Sequence, residues 1–320
     1  LRNHAFLSII PPLLQLPRYL WITFQMTFNP RPLSHTLFPI GLLLIAMASI
    51  QTGASMAKTL FPLVGAQGTT SLRLIFASVI LLLVLRPWRA RLNAKSLRMV
   101  VFYGIALGGM NFLFYMSLRS VPLGIAVALE FTGPLAVALF SSRKALDFVW
   151  IGLAATGLLL LIPSGQESAN LDLTGVAYAL GAGVCWAGYI VFGQKAGEDN
   201  GIQTAALGVL IAAIFIAPIG AVHAGSALLD IALIPTAIGV AILSTALPYS
   251  LEMVALTRMP ARTFGTLASI EPAFGALSGM LFLHENLTVT QWLAIGAIIA
   301  ASAGATLTAK PDTPQLIPAD

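Results

Sequence analysis

Two apolar stretches carry the same unusual pair of residues. Gly124–Phe140, GIAVALEFTGPLAVALF, holds Glu130 and, four residues on, Pro134; Phe264–Phe282, FGTLASIEPAFGALSGMLF, holds Glu271 followed directly by Pro272. An ionisable group within a membrane-length apolar run is costly and marks a ligand or ion path by default. A proline has no N–H, so the carbonyl four residues back loses its helical partner. That carbonyl belongs to Glu130 for Pro134, to Ala268 for Pro272 and to Ser244 for Pro248. In lipid an orphan carbonyl is expensive, but beside a water-filled cavity it can be solvated or bind a ligand. The pattern predicts a central cavity flanked by hinged helices at Pro134, Pro248 and Pro272, with Glu130 pointing inward.

The elements that must position these groups follow from composition. Of 320 residues, 58% are hydrophobic and 9% charged, against about 25% charged in a soluble domain; mean hydropathy is +0.89. The chain is an all-α integral membrane protein. With roughly 20 residues per crossing, ten spans are expected near residues 38–57, 66–86, 99–118, 122–141, 146–163, 173–194, 203–222, 233–256, 260–283 and 288–308. The single cysteine, Cys185, can form no internal disulfide. The four histidines, His4, His35, His223 and His284, form no metal motif, and no cofactor is expected.

An internal repeat organises the spans. A shift of 138 residues lays Pro122 on Pro260, Pro134 on Pro272 and Asp147 on Glu285, while Lys58 and Lys195 close the first and sixth spans at nearly the same shift. Two five-helix units result, residues 38–165 and 172–308, followed by a cytoplasmic tail, 309–320. Residues 1–37 read as an extension outside the fold, with Met26 the expected translation start. Five is odd, so the second unit must enter the membrane inverted. Charge agrees: loops placed inside hold Arg86, Arg89, Arg91, Lys95, Arg98, Arg143, Lys144, Lys195, Arg258 and Arg262, whereas those placed outside hold Lys58 and Arg119. Both termini are then cytoplasmic, and the net charge of +5 reflects topology rather than nucleic-acid binding. Inverted repeats of this kind characterise secondary transporters, whose substrate site lies near the midplane between the halves.

The segments AMASIQTGASMAKTLFPLVGA (46–66), VPLGIAVALEFTGPLAVALFSSR (121–143) and AILSTALPYSLEMVALTRMPARTFGTLASIEPAFGALSGM (241–280) closely resemble the bacterial threonine/homoserine exporters of the EamA branch of the drug/metabolite transporter superfamily. The resemblance runs from about residue 38 to 308. It implies a bacterial inner-membrane exporter of threonine and homoserine, driven by the proton gradient and working as a monomer or homodimer. The same architecture also accommodates other small amino acids, metabolites or drugs. No nucleophile–base or metal constellation points to an enzyme, and no filter motif to a channel.

A zwitterionic cargo needs fixed partners for its carboxylate and its ammonium once both lose water. Glu130 can accept the ammonium, or take up a proton when the site is empty; alternatively it pairs with a cation and only holds helices together. Glu271 is a second candidate. Glu252, near the cytoplasmic end of the eighth span, reads as a snorkelling structural residue. Arg73, in TTSLRLIF where the family often carries arginine, offers a fork that matches a carboxylate; the alternatives are a salt bridge to Glu130 or Glu271, or snorkelling. Asn111, Tyr115 and Tyr103 give the third span a polar stripe able to bind a hydroxyl or link helices, and Tyr249 falls on Asn111 at the 138 shift. In the first span Gln51 is a site candidate, whereas Ser49, Thr52 and Ser55 suit helix contact. Gly104–Gly108 and Gly275–Gly279 have the spacing of close helix packing.

Overall fold

The computed structural model describes residues 33–89, 93–140, 145–161, 172–200, 203–256, 264 and 267–308. Residues 39–320 form one unit and residues 1–38 another. The proposed extension up to residue 32, Arg91, Arg143, Lys144, Arg258, Arg262, Pro260 and the tail from 309 lie outside the described residues.

The described chain is helical: α1 Leu33–Lys58, α2 Phe61–Leu85, α3 Ala94–Ser117, α4 Leu123–Glu130, α5 Thr132–Phe140, α6 Asp147–Leu161, α7 Leu173–Asn200, α8 Gln203–Ala224, α9 Ile234–Ala241, α10 Leu247–Leu256, α11 Glu271–Leu283 and α12 Val289–Thr308. Among these residues seven segments are long and apolar enough to cross a membrane, and three shorter apolar helices, Leu123–Val137, Asp147–Leu160 and Glu271–Leu283, stand where the fourth, fifth and ninth spans are expected.

The interruptions fall at the prolines. Span four breaks at Phe131, between α4 and α5, three residues before Pro134. In span nine a turn at Ser269 and Ile270 precedes α11, which starts at Glu271 with Pro272 in its first turn, where a missing N–H costs nothing. Span eight stays continuous but passes through a π-helical stretch, Ile242–Ala246, between α9 and α10.

Helices pack across the two halves. α2 lies on α8, α4 on α11 and α6 on α12; these join the second, fourth and fifth spans to their equivalents in the other half. α3 lies on α7, joining the third span to the sixth. Its counterpart joins the eighth to the first, where Ser49 Oγ donates to the Leu243 carbonyl at 2.6 Å. Such reciprocal pairing is what a twofold relation between two five-helix copies produces.

Without a hydrophobic drive between helices in lipid, close approach depends on small residues. Gly104 abuts Ile211 and the Gly208 carbonyl, Gly108 abuts Ala212, and Gly275 faces Val127 and Gly124, so these three serve packing, whereas Gly279 makes room for the Glu285 carboxylate. The tightest crossing puts Gly133, beside the break in span four, against the backbone of Gly183 on α7, with the Glu130 carbonyl oxygen alongside. The carbonyl expected to open onto the cavity is therefore turned towards α7; only the Glu130 side chain faces inward.

Candidate functional site

The π stretch in span eight shows how the backbone positions the site. Leu247 donates its N–H to the Ile242 carbonyl, five residues back. Pro248 withholds an N–H from the carbonyls of Leu243 and Ser244, and side chains from other spans take both. Ser49 serves Leu243. Arg73, 5% exposed, donates from Nη2 to the Ser244 carbonyl at 2.7 Å and from Nε to Thr245 Oγ1 at 2.7 Å. Its guanidinium carbon sits 4.9 Å from the centre of the Tyr115 ring, a cation–π arrangement. Among the described residues the ion pair within reach is Lys58–Glu285, so Arg73 neither bridges to Glu130 or Glu271 nor snorkels. Its remaining N–H groups are free to face a ligand.

Six of the seven binding candidates line one cavity of about 70 Å³: Gln51, Arg73, Asn111, Glu130, Tyr249 and Glu271. That is room for about five to seven water molecules at roughly 10–15 Å³ each. Tyr115 stands behind Arg73 rather than on the wall; it is fully buried, and its hydroxyl has no hydrogen-bond partner among the described residues. Tyr103 is also buried off the wall, 4.9 Å from the Tyr189 ring. Asn111 donates to the Leu107 carbonyl at 2.8 Å and lines the cavity together with Tyr249, so the two residues related by the 138 shift meet there.

The carboxylates differ in their surroundings. Glu271 accepts from Gln51 Nε2 at 3.1 Å. The Glu130 carboxylate takes no hydrogen bond from a described residue, although Arg73 lies near enough for their charges to interact. Glu252, read from the sequence as a peripheral residue, lines the cavity too. The spacing held a clue: Tyr249 and Glu252 are three apart and so share a helix face. Trp186 and Tyr189 on α7, also three apart, complete the wall and were missed because an apolar run with aromatics looks like any core helix. Phe131 at the break in span four packs edge-on to Trp186, 5.3 Å between ring centres.

One end of the bundle is tied by a single carboxylate. Glu285, before α12, accepts from Lys58 Nζ at the end of α1 at 2.7 Å and from the Leu123 backbone N–H at the start of α4, also at 2.7 Å.

Comparison with known proteins adds five findings. Residues 173–307 match the EamA-like transporter family. The threonine/homoserine exporter RhtA of Escherichia coli (strain K12) is 62% identical over 275 residues, 86% of this chain and 93% of that protein. Its namesake in Salmonella typhimurium (strain SL1344) is 61% identical over 278 residues, 87% of this chain and 94% of that protein. The uncharacterized transporter YwfM of Bacillus subtilis (strain 168) is 31% identical over 153 residues, 47% of this chain and 51% of its own. A solved crystal structure at 19% identity superposes with a TM-score of 0.56 over 87% of this chain and 98% of that one, a likeness of fold alone. With identity above 60% over more than four-fifths of its length, this multi-pass membrane chain belongs to the EamA-like transporter family.

Proposed function

We propose that this protein exports threonine and homoserine across the bacterial inner membrane by alternating access, coupled to protons through Glu130. The observation that carries the reading is the cavity itself: one arginine with unused donors, three carboxylates, Asn111 and Tyr249 gathered where the two halves meet. A zwitterion bearing a hydroxyl needs those partners. Arg73 receives the carboxylate, and Asn111 and Tyr249 receive the hydroxyl. Glu130, buried with no hydrogen bond from a described residue, carries the proton. The names of the relatives support the cargo. They are transporters, and the reading is transport rather than catalysis.

Alternating access is supported by the tie at Lys58, Glu285 and Leu123. The charge pattern assigns that end to the outside, so the cavity is shut outward in this conformation. The breaks at Phe131 and Ser269–Ile270 give spans four and nine places to bend. The test is flux of labelled threonine and homoserine in proteoliposomes with and without a pH gradient. Gradient-driven flux of both is expected; no flux of either would sink the cargo and leave the fold standing.

A further inference from the structure

Resting on the transport reading above, we infer that Gln51 and Glu271 together form the ammonium subsite of the cavity, holding the amino group of a primary-amine substrate while Arg73 holds its carboxylate. Gln51 is 1% exposed and lies on the cavity wall. Its Nε2 donates to Glu271 Oε1 at 3.1 Å, which orients the amide and leaves Oε1 as a buried acceptor with no partner among the described residues. A buried acceptor in such a place calls for a donor. No described residue of the wall donates to it in this structure, and Arg73 spends two of its N–H groups on Ser244 and Thr245 on span eight. A primary ammonium brings three N–H donors, enough for Gln51 Oε1, a Glu271 oxygen and one further acceptor.

Geometry selects Glu271 among the three carboxylates of the wall, because Gln51, with its unpartnered acceptor, is hydrogen-bonded to Glu271. The pairing also spans the halves, because Gln51 is on α1 and Glu271 begins α11. An ammonium bound there bridges both.

The test is displacement of labelled threonine from the full-length chain in nanodiscs by three ligands: threonine, 1-amino-2-propanol, which lacks the carboxylate, and 4-hydroxybutanoate, which lacks the amine. Gln51→Leu is expected to weaken threonine and 1-amino-2-propanol about tenfold or more, the size of one lost hydrogen bond to a charged group, and 4-hydroxybutanoate less than about twofold. Glu271→Gln, close in shape to the wild type, is expected to show the same selectivity and guards against a folding defect in Gln51→Leu. Equal weakening of all three ligands, or no weakening because water fills the subsite, overturns the inference. Threonine flux with binding independent of Gln51 sinks the subsite and spares the transport reading. Amine-selective binding without threonine flux sinks the cargo and leaves the subsite.

Discussion

Arg73 donates to the carbonyl of Ser244 at 2.7 Å, one of the two that Pro248 deprives of a helical partner. A buried cation and a buried orphan carbonyl are each unfavourable alone, and each satisfies the other. The contact also binds span two, in the first half, to span eight, in the second. A ligand competing for the guanidinium therefore acts directly on the π stretch that gives span eight its shape, and π stretches are frequent at functional sites.

The first prediction concerns that contact. Arg73→Ala leaves the Ser244 carbonyl and the Thr245 hydroxyl without their donor, at about 1–3 kcal/mol for each buried group left unsatisfied. Pro248→Ala in the same chain restores an N–H able to reach the Ser244 carbonyl. Thermal unfolding in detergent should show the double variant more stable than the sum of the single effects by about 1 kcal/mol. Strict additivity would mean that Arg73 does not serve the carbonyl released by Pro248. Arg73→Lys should restore little, because an ammonium cannot span both acceptors as a planar fork does.

Glu130 gives the second. Glu130→Gln keeps the shape of the side chain and removes its capacity to carry a proton. Threonine should still bind within about threefold of wild type, since binding is assigned to other groups, while uptake driven by a pH gradient is abolished. Retained gradient-driven flux in this variant would reduce Glu130 to a scaffold residue.

At the tied end, proposed above to face outward, Lys58→Ala should loosen the closure. Val121, 1% exposed beside the tie, provides a reporter. In a Cys185→Ala background, Val121→Cys should react severalfold faster with a membrane-impermeant maleimide once Lys58 is removed. The charge swap Lys58→Glu with Glu285→Lys should slow labelling only partway, because a lysine at 285 cannot accept from the Leu123 N–H. Labelling unaffected by Lys58→Ala would show that the pair does not control access.

Asp172 gives a pH dependence outside the membrane. Its Oδ1 accepts from the Thr174 N–H at 2.9 Å and its Oδ2 from Ser120 Oγ at 3.0 Å, capping α7. These bonds, the Thr174 backbone N–H first, hold the carboxyl below its ordinary value of 3.8. A depressed carboxylate contributes stability above its unfolded value and loses it as pH falls through the folded one. Wild type should therefore melt slightly higher than Asp172→Asn at neutral pH, with the gap closing below pH 3.8. The group is exposed, so the gap is small; one that widened in acid would contradict the cap.

The membrane class and the apolar spans were legible in the sequence, because apolar length is a one-dimensional property that the bilayer makes decisive. Glu130, Glu271, Gln51, Arg73, Asn111 and Tyr249 were legible for a related reason: polar groups within such runs stand out against the cost of burying them. What those groups do to one another came from the fold. It turned the Glu130 carbonyl towards Gly183 and put Tyr115 behind Arg73. It also brought Glu252 onto the cavity wall and laid Gln51 against Glu271, 220 residues away. Each of these depends on which helix faces which and on the rotation a π stretch imposes on span eight. Such angles come from packing between distant segments, and no local pattern encodes them.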